Sequence, residues 1–192
     1  MKKTPRADAQ RNLDSLLEAA KAVFAESGVD APVREIASRA GVGIATVYRH
    51  FPQRAELIAA VYRREIDACA AAAPALAREH EAFEALTRWL HRFTDLIATK
   101  RGLAASLNVQ DPAYQALPAY FREHLEPALR SLLDAAAAAG RVRDDVDAYE
   151  LLRGVGNLCV PVAEAGPGYS RRMVDLLIDG LRYGAPAPAA AP

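Results

Sequence analysis

Apolar residues recur along this chain at helical intervals. Between Arg11 and Ser27 the set Leu13, Leu16, Leu17, Ala20, Val23 and Phe24 repeats every three or four positions. Gly28 follows and suits a helix C-terminal cap. A second, short helix is predicted over VREIASRA, with Val33, Ile36, Ala37 and Ala40 inward, Pro32 at its start and Gly41 at its end. A third spans only Ile44 to His50. QRAELIAAVYRREIDACAAAA predicts a longer fourth helix stopped by Pro74. Beyond it, Phe83, Leu86, Leu90, Phe93 and Ile97 form an apolar stripe, closed by the basic run KRG. LAASLNV suggests a short helix and DPAYQALP a break. A helix then runs from about Ala119 to Ala139, kinked at Pro127 and ended by Gly140. Two further helices are predicted over about 146–163, with Gly154 and Gly156 inside, and 170–184, separated by the turn GPG. No strand-like alternation of useful length appears. The reading is all-α, about nine helices, three or four small ones and then a larger bundle.

The third helix is the anomaly. Isolated helices need roughly 12–15 residues to persist in water. This one is far shorter and carries Tyr48, Arg49 and His50, groups a structural turn does not need. On a wheel, Ile44, Val47 and Phe51 fall within about 60° of one another and form an inward face. Ala45, Thr46 and Arg49 face away, with Tyr48 and His50 on the flanks. That exposed inventory suits a major groove: arginine reads guanine, threonine and alanine meet thymine methyls or base edges, and tyrosine and histidine reach phosphates. The preceding helix and the turn GVG supply helix-turn-helix spacing.

Composition changes little. The 192 residues are 52% hydrophobic and 25% charged, with zero formal net charge. Residues 1–66 carry eleven Lys and Arg against eight Asp and Glu, a net +3, and the remainder carries −3. A polyanionic partner is therefore expected at the N-terminal end. Cys69 and Cys159 have no disulfide or metal spacing and read as buried thiols. The basic start lacks an apolar segment of a signal peptide, and no run is long enough to span a membrane, so the expected location is the cytoplasm.

The stretch VREIASRAGVGIATVYRHFPQRAELI, ending its third helix in Tyr48-Arg49-His50-Phe51, resembles the TetR family of transcriptional regulators. The leucine-rich first helix extends the resemblance over about residues 11–64. It implies a flexible arm at 1–9, a three-helix helix-turn-helix DNA-binding domain at 10–55, a helical effector-binding and dimerisation domain at 56–184, joined through a long helix, and a disordered tail at 185–192. It also implies DNA contacts for Arg34, Gly43, Ala45, Thr46, Tyr48, Arg49, His50 and Arg54, the last on the DNA backbone. Two positions depart from the family's pattern: Val33 stands where threonine is frequent, and Ile44 where a polar or basic residue is. The partners implied are a palindromic double-stranded operator, a second copy of the chain and an unknown small-molecule effector, with no cofactor. A homodimer through the last two long helices places Leu152, Val155, Leu158, Met173, Leu177 and Leu181 at its interface. The middle helices enclose an effector among Phe83, Trp89, Phe93, Leu107, Tyr114, Tyr120 and Phe121. Helix 4 would carry the movement between the two functions.

Rival readings are weaker. There is no nucleophile elbow, phosphate loop or zinc spacing, so an enzyme is not expected. Asp144, Asp145 and Asp147 fit a helix N-terminus better than a metal site, and His80 and His91 lack a third ligand. The remaining alternative is a helical ligand-binding or scaffolding protein without operator function.

Overall fold

The computed structural model describes residues 5–104, 111–160, 166 and 168–183, and side chains among them outside 5–10 and 98–104. All regular structure among these is helical: α1 (Pro5–Ser27), α2 (Val33–Ala40), α3 (Ile44–His50), α4 (Arg54–Glu79), α5 (Ala82–Ala104), α6 (Pro112–Gln115), α7 (Leu117–Ala138), α8 (Ala148–Leu158) and α9 (Tyr169–Gly180). The all-α class is as the periodicity predicts. The chain divides into two compact units, Met1–Glu65 with Thr99–Pro118, and Ile66–Ala98 with Ala119–Pro192. Unit 1 thus reaches past position 55 and gathers the segment around α6. α4, α5 and α7 are each continuous through a unit boundary.

In unit 1 the buried set is Leu16, Ala20, Val23 and Phe24 of α1, Ile36 and Ala37 of α2, Val47 of α3 and Leu57, Ile58, Val61 and Tyr62 of α4. The four helices are cut to length by their caps. Gly28, at φ 78, ends α1 with its N–H on the Phe24 carbonyl. Gly41, at φ 69, ends α2, and Val42 N–H returns to the Ala37 carbonyl at 3.0 Å. A side chain there would sit in left-handed backbone, so the turn needs its glycine. At the start of α4 the Glu56 carboxylate accepts the Gln53 N–H at 3.0 Å, half of a capping box.

Unit 2 is built on Trp89, Leu90 and Phe93 of α5, Leu125, Leu129 and Leu132 of α7, Leu152 and Val155 of α8, and Val174 and Ile178 of α9. α8 starts at the Asp147 carboxylate, which accepts from the Tyr149 and Glu150 N–H groups at 2.9 and 3.0 Å. This is the capping role expected of the acidic run.

Several boundaries differ from the sequence expectation. α1 begins at Pro5, ahead of Arg11, so residues 5–9 are helical rather than loose. Pro74 does not stop α4, which continues to Glu79. An internal proline removes one backbone bond and crowds the carbonyl one turn back. Close by, the Trp89 indole N–H donates to the Cys69 carbonyl at 2.9 Å, and buried Cys69 and Ala73 anchor the turn. KRG likewise lies inside α5, which ends at Ala104. The expected break at DPAYQALP holds a single helical turn, α6, where the Asp111 carboxylate accepts the Ala113 N–H at 2.9 Å. Most of LAASLNV, and the tail at 185–192, lie outside the described residues.

Candidate nucleic-acid interface

Three residues, Gly41 to Gly43, join α2 to α3. Gly43 is the N-cap of α3 in extended backbone, and its carbonyl accepts the Thr46 N–H at 2.8 Å. A Cβ at Gly43 would meet nothing within 4 Å. This glycine therefore leaves an open surface rather than relieving crowding within the chain.

Only Val47 of α3 is fully buried, at 1% exposure. Phe51 is half-buried and its N–H closes the helix on the Val47 carbonyl at 2.8 Å. These two side chains brace the stub, as the wheel predicts. The third expected inward residue does not join them: Ile44 is 47% exposed. It is the first residue of the helix, one turn ahead of buried Val47. Ala45, Arg49 and His50 are exposed, Tyr48 is 51% exposed, and Thr46 is half-buried.

The arginines around this face sort by what they touch. Arg39 makes a bidentate pair with Glu26 at 2.8 Å for each bond, and this holds the Glu26 carboxyl below its usual range. Arg54 is turned inward. Its guanidinium donates to the Val29 carbonyl at 2.7 Å and twice to Ala31, at 2.8 Å and in a second, shorter bond. Arg54, expected on the DNA backbone, staples the loop between α1 and α2. The physical reason is that this loop leaves its carbonyls unpaired near the start of α4, and a planar fork of donors satisfies them. Arg34 and Arg49 are exposed and have no hydrogen bond or ion pair among the described residues. Arg34 borders an open concavity of 670 Å³ with Pro32, Glu35, Ser38 and Arg39. Pro32 caps α2 without a side-chain hydrogen bond, in keeping with the valine at position 33.

Of the residues expected around an effector, Trp89, Phe93 and Phe121 come together and the other described ones lie elsewhere. Trp89 and Phe93 are 0% exposed and stacked at 5.8 Å, with Phe121 tilted against Phe93 at 5.7 Å. Trp89 and Phe93 are packed core, as an aromatic stripe at helical spacing most simply becomes, while Phe121 is half-buried. Phe83 lies under the Arg182 guanidinium at 5.0 Å. Tyr120 donates to Asp67 at 2.6 Å and stacks on His124. Tyr114 belongs to unit 1, and Leu107 lies outside the described residues. The sequence carried no signal for the Thr87 hydroxyl, which is buried with no partner among the described residues.

The interface positions also divide. Leu152, Val155 and Leu181 are buried inside unit 2, at 1%, 0% and 4% exposure. They face the core because α8 and α9 must cover α5 and α7. Leu158, Met173 and Leu177 are half-buried, and beside them Leu176 is 62% and Val160 57% exposed. A Cβ at Gly154 or Gly156 would meet nothing within 4 Å.

Among the described residues no three His, Cys, Asp or Glu side chains gather as metal ligands. His91 pairs with Asp175 at 2.6 Å and His80 with Glu84 at 3.6 Å. No described helix is long and apolar enough to cross a membrane.

Comparison with known proteins agrees with this geometry. Residues 16–61 match the family described as bacterial regulatory proteins, tetR family, and residues 81–183 match the C-terminal domain of transcriptional regulators described as SbtR-like. A TetR transcriptional regulator structure from Streptomyces coelicolor is 36% identical, covering 92% of this chain and 99% of that one, with a TM-score of 0.70. One from Mycobacterium vanbaalenii is 34% identical over 93% and 99%, with a TM-score of 0.74. A helix-turn-helix-type transcriptional regulator of Staphylococcus aureus is 36% identical over 63 residues, which is 32% of this chain and 34% of that protein. The chain thus spans about a third of the length of the curated relatives it matches.

Proposed function

Because this chain belongs to the TetR family of transcriptional regulators, we propose that it is a homodimeric repressor that binds a palindromic operator and is released by a small-molecule effector. The observation that carries the reading is α3. Its outward face presents Ile44, Ala45, Tyr48, Arg49 and His50 to solvent, and Arg49 has no partner among the described residues. A guanidinium left free beside small and apolar side chains matches the donors and methyl groups of a major groove. Arg49 and Thr46 read base edges. Tyr48, His50 and Arg34 hold phosphates, and Gly43 lets the backbone come close. Arg54 acts indirectly, by fixing the loop that seats α2.

One seven-residue helix contacts few bases, so two copies bind half-sites roughly 34–36 Å apart or a multiple of that. The face that supports a dimer is the outward one: Leu158, Met173, Leu176 and Leu177, with Gly154 and Gly156 allowing close approach. The effector acts within unit 2, where the Thr87 hydroxyl has no partner among the described residues, and α4 transmits the shift between populations.

The test is a gel shift on DNA upstream of the protein's own gene, repeated across salt concentrations. Binding that falls steeply with salt supports the reading. Absence of binding to any duplex leaves the scaffold alternative. Leu176→Glu should turn a dimer into a monomer in light scattering. A dimer that persists moves the interface elsewhere.

A further inference from the structure

Five large hydrophobic side chains are exposed among the described residues, and two of them, Ile44 and Tyr48, stand one turn apart on α3. The other three, Val160, Leu176 and Tyr183, belong to unit 2. Ile44 and Tyr48 are therefore the two exposed large hydrophobics of unit 1 among the described residues, and Ile44 alone of them lacks a polar atom. It is also sterically prominent. The residue before it is Gly43, with open space around its Cα, and the residue after it is Ala45. A branched four-carbon side chain thus projects from a stretch where its neighbours carry at most one methyl.

Resting on the regulator reading above, we infer that Ile44 is a specificity-determining residue that recognises the C5 methyl of a thymine in each half-site. Residues at the N-terminal end of a recognition helix contact base edges, and Ile44 is the first residue of α3. Its side chain neither donates nor accepts a hydrogen bond. The thymine methyl is the apolar group among the major-groove base edges, so it is the feature such a side chain can distinguish. Tyr48, following on the same face, extends the apolar strip toward the sugar edge. The Arg49 guanidinium lies on the adjoining strip, so one helix reads a methyl and a guanine edge side by side.

The experiment begins with selection from a random duplex pool by the full-length protein. Thymines of the selected site are then replaced singly by deoxyuridine, which removes the methyl and keeps the O4 acceptor. One thymine per half-site should lose about fourfold in affinity on this replacement, the value of burying one methyl-sized group. Ile44→Ser should bind thymine and uracil equally at that step, with its melting temperature unchanged because the side chain is exposed. If uracil is tolerated at every thymine, or if the uracil penalty persists in Ile44→Ser, the inference is overturned while the regulator reading stands. If the pool yields no enriched sequence, the regulator reading falls and the inference falls with it.

Discussion

In α3, Tyr48 is 51% exposed and Arg49 has no partner among the described residues; in α5, Trp89 and Phe93 are both 0% exposed and stacked at 5.8 Å. Both helices carry side chains whose chemistry suits a ligand. The difference is how each helix is made stable. α5 is 23 residues long and amphipathic, so its aromatic stripe is the source of its own burial. α3 is seven residues long and is held by Val47 and Phe51 alone, which leaves most of its surface unused by folding. Chemistry on the long helix is consumed by the core, while chemistry on the short one remains available.

Truncation at the two sites should separate them sharply. Trp89→Ala removes a fully buried ring and should cost about 3–5 kcal/mol in denaturant unfolding followed by circular dichroism. Tyr48→Ala should stay within about 0.5 kcal/mol of the parent, as exposed positions do. A stable Trp89→Ala protein would return Trp89 to the list of pocket residues.

Arg54 tests the comparison from inside unit 1. Arg54→Met leaves the Val29 and Ala31 carbonyls without their charged donor and should lower stability by about 1.5–3 kcal/mol. DNA affinity should fall equally on all sequences, because the seat of α2 loosens. Unchanged stability together with reduced DNA affinity and a shallower salt slope would restore the phosphate role. Arg49→Ala is the converse case. It should leave the melting temperature alone, cost about 1–3 kcal/mol on the preferred operator, and relax preference at one base pair. An equal loss on every operator variant would show that Arg49 touches phosphate instead.

Much of unit 1 was legible because its signals are local. Gly28, Gly41 and the apolar spacing of Leu16, Val23 and Ile36 state where helices end and which face turns inward. The exposure of Ile44 was not, because a wheel assumes uniform cover along the axis, and a first-turn residue lies outside that cover. The inward hydrogen bonds of Arg54 were hidden for a related reason. Its partners are carbonyls 25 and 23 positions away, and no pattern in the chain announces an unpaired carbonyl. In unit 2 periodicity found the helices but could not distinguish a stripe that faces the core from one that faces a cavity or another chain. Leu152 and Val155 fall inward and Leu176 outward, although all are apolar residues on amphipathic helices.

The smallest effects concern protons, and they should divide the two units by the direction of pH change. In unit 2 the Glu84 carboxyl is held low by Arg88, Glu126 by Arg122 and then Arg130, Asp147 by the Glu150 N–H and then Arg130, and Asp145 by Arg143, against Glu26 by Arg39 in unit 1. Folded values below unfolded ones give stability that is present above about pH 4 and lost as pH falls further. These groups are solvent-exposed, so the loss should be slight and weaker still in salt. In unit 1 burial pushes the Tyr62 and Tyr114 hydroxyls up, with Asp111 adding to the shift at Tyr114 and Arg54 opposing it. Folded values above unfolded ones give stability that is present below about pH 10 and lost as pH rises. The chain has one tryptophan, Trp89 of unit 2, so its emission reports that unit alone. On acid titration Trp89 emission should change before the bulk of the helical signal, and on alkaline titration after it. Arg130→Gln should flatten the acid limb and leave the alkaline one in place. Coincident transitions at both extremes would mean that the two units unfold as one, and that the contrast between them ends at their surfaces.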